Sequence, residues 1–203
     1  MENVNLSKPI WQRKPADVKE EEYLSLFRFI SKDNDNYLGV KHFCIESNNG
    51  DVKCVLYVPN KAPGDMFTEK KKRDNIKLYV KGIFITDDFD TQDSLLSEYF
   101  GFIRGVVNCE DLPLNVSREV VQNNPFMKVI KKQLIRKSID LCTELMSNSD
   151  KAKKFYENFN KSIKIGVHED SDNRQKLSEL LRYSSSHDNN GFFSLNDYIK
   201  RLK

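Results

Sequence analysis

The sequence predicts an α/β protein, with a layered α/β/α body in which helices cover a sheet, followed by a small helical region. Three observations predict this class. β-rich runs alternate with helical segments, an Asn-Gly dipeptide separates the first two β-rich runs, and a long apolar stripe with helical spacing follows the last one. With 203 residues and 38% hydrophobic side chains, the chain is large enough to bury a core.

The first helix is expected after an extended segment near residues 8–13, because Asp17 and Glu20 have the spacing of a capping box. Residues 40–45 and 52–58 are β-rich and flank the Asn-Gly turn signal, so they are predicted to pair as an antiparallel hairpin. Residues 76–86 form one apolar run, which predicts a third strand too apolar for a surface edge.

Residues 95–102 have helical spacing, and residues 103–107 predict a short fourth strand. A proline-containing connection then leads to a helix expected from Ser117, which Pro125 must break or restart. The following long helix has two faces. Its apolar stripe contains Met127, Ile130, Leu134, Leu141 and Leu145, and its basic face contains Lys128, Lys131, Lys132, Arg136 and Lys137.

A polar Ser-Asn-Ser-Asp stretch at residues 147–150 predicts a boundary. Residues 1–147 are then the large α/β body. Residues 148–203 are a helical linker and the start of a smaller, truncated α/β subdomain, with helical segments near residues 155–159, 177–181 and 195–199.

Composition excludes several classes of partner. The chain carries 33 basic and 30 acidic side chains, so its net charge of +3 indicates neither a nucleic-acid nor a membrane partner. No apolar run is long enough for a membrane span, and the start lacks the regions of a signal peptide. The four cysteines form no C-x-x-C pair, so small core residues in a reducing compartment are favoured over reactive or bridged thiols.

No site for a metal or nucleotide is expected within this chain. The three histidines are far apart, and no Gly-rich phosphate motif or nucleophile elbow is present. The basic run at residues 70–73 could contact phosphates or an acidic partner, although a solvated face is the ordinary interpretation. Trp11 fits a buried anchor or an exposed contact equally well. Arg118 lies at a predicted helix start, where a positive charge is unfavourable to the helix dipole. It either forms a structural salt bridge or is kept there for a function.

Several segments, in order, resemble the middle domain of the 90-kDa heat-shock chaperone family. The most specific is Asp-Leu-Pro-Leu-Asn-Val-Ser-Arg-Glu at residues 111–119, which is similar to that family's catalytic loop. Others are Lys-Pro-Ile-Trp at residues 8–11, Asn-Ile-Lys-Leu-Tyr-Val at residues 75–80, Phe-Ile-Arg-Gly-Val-Val at residues 102–107, and Gly-Val-His-Glu-Asp at residues 166–170. The resemblance covers nearly the whole chain.

This resemblance implies an ATPase in three parts: an amino-terminal domain that binds ATP with Mg, a middle domain, and a carboxy-terminal domain that forms a homodimer. Arg118 matches the arginine that reaches the γ-phosphate of ATP, and Gln122 matches a polar residue one helical turn later. A planar, always charged guanidinium suits the charge that accumulates during phosphoryl transfer. The isolated chain is expected to be inactive, since the nucleotide would lie in the upstream domain.

The resemblance also implies supporting and binding roles. Phe84 and Asn115 match residues that support the catalytic loop, whereas Trp11, Met66 and Phe67 match positions for client contact. The implied partners are the protein's own nucleotide-binding domain, client proteins and cochaperones. The sequence departs from the family pattern at Lys81-Gly82, at Gly64, at residues 34–36 and in extra residues near 88–96.

Both the function and the cellular location have an alternative. The chain could instead serve as a non-catalytic scaffold or interaction module derived from this family. A cytoplasmic location is favoured, with the lumen of the endoplasmic reticulum or another organelle as the alternative. In a lumenal protein, the sequons at Asn5 or Asn160 are expected to carry glycans.

Overall fold

The computed structural model describes residues 8–32, 34–47, 50–62, 76–87, 95–113, 124–186 and 188–202. The helices are α1 (Glu20–Ser31), α2 (Pro125–Ser147), α3 (Ser149–Glu169), α4 (Arg174–Glu179) and α5 (Leu195–Arg201). The strands are β1 (Tyr37–Ile45), β2 (Val52–Pro59), β3 (Ile76–Val80), β4 (Ile83–Thr86), β5 (Arg104–Cys109), β6 (Tyr183–Ser185) and β7 (Asp188–Phe193). Short 3₁₀ turns are formed by Ile10–Gln12, Pro15–Asp17 and Glu98–Phe100.

Five of the described strands form one sheet in the order β1-β2-β5-β3-β4. The predicted hairpin is confirmed, because β1 pairs antiparallel with β2 from Tyr37 opposite Pro59 to Ile45 opposite Val52. The predicted fourth strand is also confirmed as β5, which lies antiparallel to β2 and parallel to β3. Since β2 and β5 occupy the centre, both are buried along most of their length, as their nearly continuous apolar sequences require.

Helices cover both faces of this sheet. On one face, Leu56 and Val107 belong to a large core cluster that also contains Ile130 of α2 and Phe155 of α3. On the other face, α1 and the amino-terminal segment cover a smaller cluster centred on Tyr57. The predicted α/β/α layering is therefore confirmed.

The prediction of a single strand over residues 76–86 is wrong. The structure instead has two antiparallel strands, β3 and β4, joined by Lys81 and Gly82. Both turn residues have positive φ, 51° and 79°, as a two-residue hairpin turn of type I′ requires. β4 is consequently an edge strand, and its Ile83 and Phe84 side chains are 57% and 47% exposed.

The start of the first helix also differs from the prediction. Asp17 does not form a capping box with Glu20, because it closes the 3₁₀ turn before the helix. α1 begins at Glu20, and the cap hydrogen bond runs from the Lys19 backbone N–H to Oε2 of Glu22, over 3.0 Å. The three consecutive glutamates of residues 20–22 place negative charge in the first turn, where the helix dipole favours it.

Later helix boundaries follow from asparagine caps and a proline. Residues 95–102 contain only a 3₁₀ turn rather than the predicted helix. The helix predicted from Ser117 lies outside the described residues, but Pro125 begins α2, where a missing N–H does no harm. The side chain of Asn124 accepts the backbone N–H of Phe126 at 2.9 Å and so caps the helix.

A single residue, Asn148, separates α2 from α3 within the polar stretch of residues 147–150. α3 nevertheless packs on the same core as the large body, because Phe159 stacks on Phe102 at a centroid distance of 4.2 Å. The division of the chain into 1–147 and 148–203 stays a prediction. In the second part the helical segments correspond to α3, α4 and α5, and the small β6–β7 sheet was not predicted strand by strand.

Candidate functional site

Most of the residues predicted to be functional lie outside the described part of the chain. These are Asn115, Arg118 and Gln122, and also Met66 and Phe67. The structure does place Phe84 and Trp11, together with residues 108–112, which lead from β5 toward the predicted catalytic loop and are called the loop root below. The geometry of the candidate site is therefore that of the loop root and its surroundings.

The loop root is held on one side by the β1–β2 hairpin. The backbone N–H of Glu110 donates to the carbonyl of Asp51 over 3.2 Å, and the Lys53 ammonium lies 3.1 Å from the Glu110 carboxylate. Leu112 is only 5% exposed and belongs to the large core cluster. The chain therefore leaves the sheet after Cys109 from a fixed position, four residues before this described range ends at 113.

The β3–β4 turn holds the loop root on the other side. The backbone N–H of Lys81 donates to the carbonyl of Cys109, and that of Gly82 donates to Oδ1 of Asn108, each over 2.9 Å. The Lys81 ammonium also lies 3.4 Å from the Asp111 carboxylate, an exposed pair that adds little. The two positions that depart from the family pattern thus form the turn that contacts the loop root.

Phe84 presents its ring at the outer edge of the sheet, on the face of the sheet that carries Tyr79. The two rings meet edge to face with centroids 5.6 Å apart, and the Lys77 ammonium lies 5.6 Å from the centroid of Phe84. Lys77 also forms a 2.9 Å ion pair with Asp87, and this hydrogen bond holds the pKa of Asp87 below its ordinary value. The Phe84 ring is therefore exposed to solvent, while the pairing of β4 with β3 and the contacts with Tyr79 and Lys77 fix its position.

Trp11 contacts the same tyrosine. Its ring centroid lies 5.0 Å from that of Tyr79, so the structure brings the predicted client-contact residue and Phe84 together through one ring. Trp11 is partly buried against the smaller core cluster, and its indole nitrogen has no acceptor among the described residues. Its burial is thus intermediate between the buried anchor and the exposed contact that the sequence left open. Its role in client contact stays a prediction.

His42 and Tyr23 support this amino-terminal segment. The Tyr23 hydroxyl and Nδ1 of His42 are 2.8 Å apart. Burial lowers the pKa of His42, and a hydrogen bond with the Trp11 backbone opposes that shift. His42 is consequently neutral and structural at neutral pH.

The amino-terminal half of α2 carries a basic, solvent-facing surface. Lys128, Lys132 and Arg136 are exposed, and the ion pairs among the described residues include none of them. Val129 lies between them with 48% exposure. This basic face begins at Lys128, nine residues after the end of the predicted catalytic loop at residue 119, and it is available to an acidic partner.

The Gly-Val-His-Glu-Asp segment at residues 166–170 has a structural explanation. A Cβ atom at Gly166 would lie 2.7 Å from the ring of Tyr99, so only glycine allows this approach. The Tyr99 hydroxyl donates to Asp170, and Arg174 donates to the carbonyls of Val167 and His168 at the end of α3. This segment of family resemblance therefore stabilises the end of a helix.

The cysteine prediction is confirmed for three residues and wrong for one. Cys54, Cys109 and Cys142 are buried and free, whereas Cys44 is exposed near the end of β1. Burial raises the pKa of the Cys109 thiol to about 12. Within the described residues, no group of three or more His, Cys, Asp or Glu side chains could hold a metal ion, and no helix is long and apolar enough to cross a membrane.

Sequence reasoning missed two residues of this site. Asn108 lies within the apolar Val-Val-Asn-Cys run of β5. A polar side chain in a buried strand indicates that a hydrogen-bond partner lies nearby. Tyr79 looked like an ordinary strand aromatic, and only the fold places it between Trp11 and Phe84.

Comparison with known proteins identifies a family that matches the whole chain. The family model described as "Hsp90 protein" matches residues 1–203. Heat shock protein 83 of Leishmania donovani is 43% identical over 98% of the chain, and an endoplasmin homolog of Caenorhabditis elegans is 45% identical over 100% of it. The chain spans only 43% and 26% of the lengths of these two relatives.

A solved structure shares the fold as well. The middle domain of a Plasmodium falciparum heat shock protein superposes with a TM-score of 0.82 and 28% identity, covering 97% of this chain and 75% of that one. The chain therefore belongs to the Hsp90 family, and its fold is that of the family's middle domain.

Proposed function

We propose that this chain is the middle segment of an ATP-dependent chaperone and completes an ATPase site in the full-length protein. Arg118 would reach the γ-phosphate of ATP held with Mg by an upstream domain, with Gln122 beside it and Asn115 shaping the loop. The observation that carries the proposal is the loop root. It is fixed by hydrogen bonds to Asp51 on one side and to Gly82 on the other. Arg118 follows it in sequence by six residues.

A fixed root suits this role for a physical reason. Phosphoryl transfer needs positive charge placed where negative charge accumulates, and a preorganised group supplies it without reorganisation during the reaction. An arginine on a loop benefits when the chain that carries it starts from a rigid point. Phe84 supports the same proposal, because its exposed ring at the sheet edge is available to pack against the nucleotide domain.

Binding of other proteins is the second part of the proposal. Trp11, Met66 and Phe67 would contact partly folded clients, since an amphipathic surface holds such chains without requiring one sequence. Cochaperones with acidic surfaces would bind the basic face of α2. The full-length protein would form a homodimer through its carboxy-terminal domain, and a cytoplasmic location is favoured over an organelle.

ATP turnover by the full-length protein tests the catalytic part. Replacing Arg118 by alanine is expected to lower kcat by about 10²-fold or more while the Kd for ATP changes little, because the lost charge acts on the transition state. Arg28→Ala is the matched control, since Arg28 is exposed on α1. Wild-type turnover in Arg118→Ala would contradict the catalytic role and favour the non-catalytic scaffold.

A further inference from the structure

β4 is a four-residue edge strand that must hold Phe84 in place although only one neighbouring strand pairs with it among the described residues. It is held at both ends by side chains of other strands. At its far end, Asp87 follows Thr86 and pairs with Lys77 of β3 over 2.9 Å. At its near end, the turn residue Gly82 donates its N–H to Asn108 of β5 over 2.9 Å.

The Asn108 anchor is unusual for its position. This side chain is 2% exposed, within the strand whose neighbouring residues are Val107 and Cys109. A buried amide is unfavourable unless it is hydrogen-bonded, and the hydrogen bond shown for its oxygen is the one to Gly82. Asn108 pairs with Tyr79 on β3 in the sheet register, so it stands on the same face of the sheet as the Phe84 ring.

The hydrogen bond from Gly82 to Asn108 stabilises the β3–β4 turn, whose backbone conformation is uncommon. Lys81 and Gly82 both have positive φ, and a lysine adopts that region only when its surroundings hold it there. A change in the turn shifts the register or tilt of β4, and Phe84 lies only two residues after Gly82. The Tyr79 ring contact with Phe84 depends on the same register, since the two residues pair directly.

We propose that Asn108 is a positioning residue for Phe84: by accepting the Gly82 N–H it fixes the β3–β4 turn, and thereby the place where the Phe84 ring meets the nucleotide domain. This inference rests on the proposed ATPase function. Asn108 touches neither nucleotide nor Arg118 in this scheme, and its effect on turnover passes through Phe84.

A double-mutant cycle in the full-length protein tests this route. Phe84→Ala and Asn108→Ala are each expected to lower kcat by roughly tenfold, below the loss of about 10²-fold that misplacement far from the chemistry can cause, with the Kd for ATP unchanged. If Asn108 acts through Phe84, the double variant turns over no more slowly than Phe84→Ala alone. Fully additive losses in kcat would overturn the proposal, and so would wild-type kcat in Asn108→Ala.

Asn108→Asp is the conservative variant. It keeps an acceptor oxygen at the same place, next to Lys53, its partner on β2 in the sheet register, and is expected to restore at least half of the wild-type kcat. A low kcat in Asn108→Asp with a fully protected Gly82 amide would contradict a role through the hydrogen bond.

Amide hydrogen exchange in the full-length protein gives a second measurement, and its wild-type part does not depend on how well a variant folds. The Gly82 amide is expected to be protected, and Asn108→Ala is expected to speed its exchange by about tenfold or more. An unprotected Gly82 amide in the wild type would overturn the proposal. If Arg118→Ala and Phe84→Ala both retain wild-type turnover, the proposed function fails instead, and the exchange result still decides whether the anchor exists.

Discussion

The hydroxyl of Tyr99 donates a 2.6 Å hydrogen bond to Oδ2 of Asp170, and this contact ties the 3₁₀ turn before β5 to the end of α3. Asp170 also accepts the side-chain N–H of Asn173. Burial alone would raise the pKa of Asp170, but these hydrogen bonds outweigh it and hold the pKa below its ordinary value. The pair therefore joins the two parts of the chain that the sequence predicts to be separate.

Tyr99→Phe is expected to reduce the free energy of unfolding by about 1–2 kcal/mol, because it removes a hydrogen bond to a charged acceptor while keeping the buried ring. Urea denaturation of the isolated segment measures this change. Tyr183→Phe is the matched control, since Tyr183 is 42% exposed on β6. Equal losses in both variants would show that the Tyr99–Asp170 bond adds nothing to stability.

A pH effect is expected from His42. Its pKa lies below the ordinary 6.5 because burial disfavours the charged ring, so the unfolded chain binds a proton more readily than the folded one. The stability contribution is therefore fully present above pH 6.5 and declines as the pH falls through the folded-state pKa. The groups that face the ring are the Tyr23 hydroxyl, the Trp11 backbone and Arg13.

Urea midpoints measured between pH 7.5 and pH 5, a range of about one to two units around the ordinary histidine pKa, check this effect. His42→Gln is expected to flatten the decline, and His168→Gln, on the exposed end of α3, is expected to leave it unchanged. A steeper decline in His42→Gln than in the wild type would mean that another group dominates.

The Lys77–Asp87 ion pair predicts the order of stability of two single variants and their double variant. The Lys77 side chain is 10% exposed and that of Asp87 is 28% exposed, so Asp87→Asn leaves a largely buried ammonium without its carboxylate. We expect a loss of about 1–3 kcal/mol in Asp87→Asn. Lys77→Met should cost less, because it removes the buried charge and keeps the aliphatic packing against Phe84.

Thermal and urea unfolding of the three variants test the order. The double variant Lys77→Met, Asp87→Asn should be no less stable than Asp87→Asn alone. If Lys77→Met proves the more damaging single change, the contacts of the Lys77 ammonium with Asp87 and the Phe84 ring contribute more than the burial of its charge costs.

Gly105 and Gly82 are glycines for two different reasons, a steric clash of any Cβ atom at Gly105 and a left-handed backbone conformation at Gly82. A Cβ atom at Gly105 would lie 2.6 Å from the carbonyl oxygen of Val55, a backbone atom that cannot move aside without breaking the β2–β5 ladder. At Gly82 the nearest side-chain atom among the described residues, Nε2 of Gln12, would be 3.4 Å from such a Cβ, but φ is +79°.

Gly105→Ala is therefore expected to cost several kcal/mol, at or above the roughly 1–3 kcal/mol of ordinary overpacking. Gly82→Ala should cost about 1 kcal/mol, the penalty of a left-handed conformation for an alanine. Equilibrium unfolding of the isolated segment measures both. A larger loss at Gly82 than at Gly105 would contradict the steric argument.

The sequence predicted the elements whose signals are local. The Asn-Gly dipeptide between two β-rich runs indicated the β1–β2 hairpin, and the 3.6-residue apolar period indicated α2. The β3–β4 turn was missed because one of its two positive-φ residues is a lysine, which carries no turn signal. The contact of Trp11, Tyr79 and Phe84 could not be predicted, because three separate elements bring those rings together.

Asn148 ends α2 and begins α3, and its side chain accepts the backbone N–H of Lys151 at 3.2 Å. One residue thus serves as the whole connection between helices of 23 and 21 residues. Because each residue turns an α-helix by about 100°, inserting or deleting a residue here would rotate the core-facing side of α3, with Phe155 and Phe159, away from the sheet. The joint therefore tolerates a change of side chain far better than a change of length.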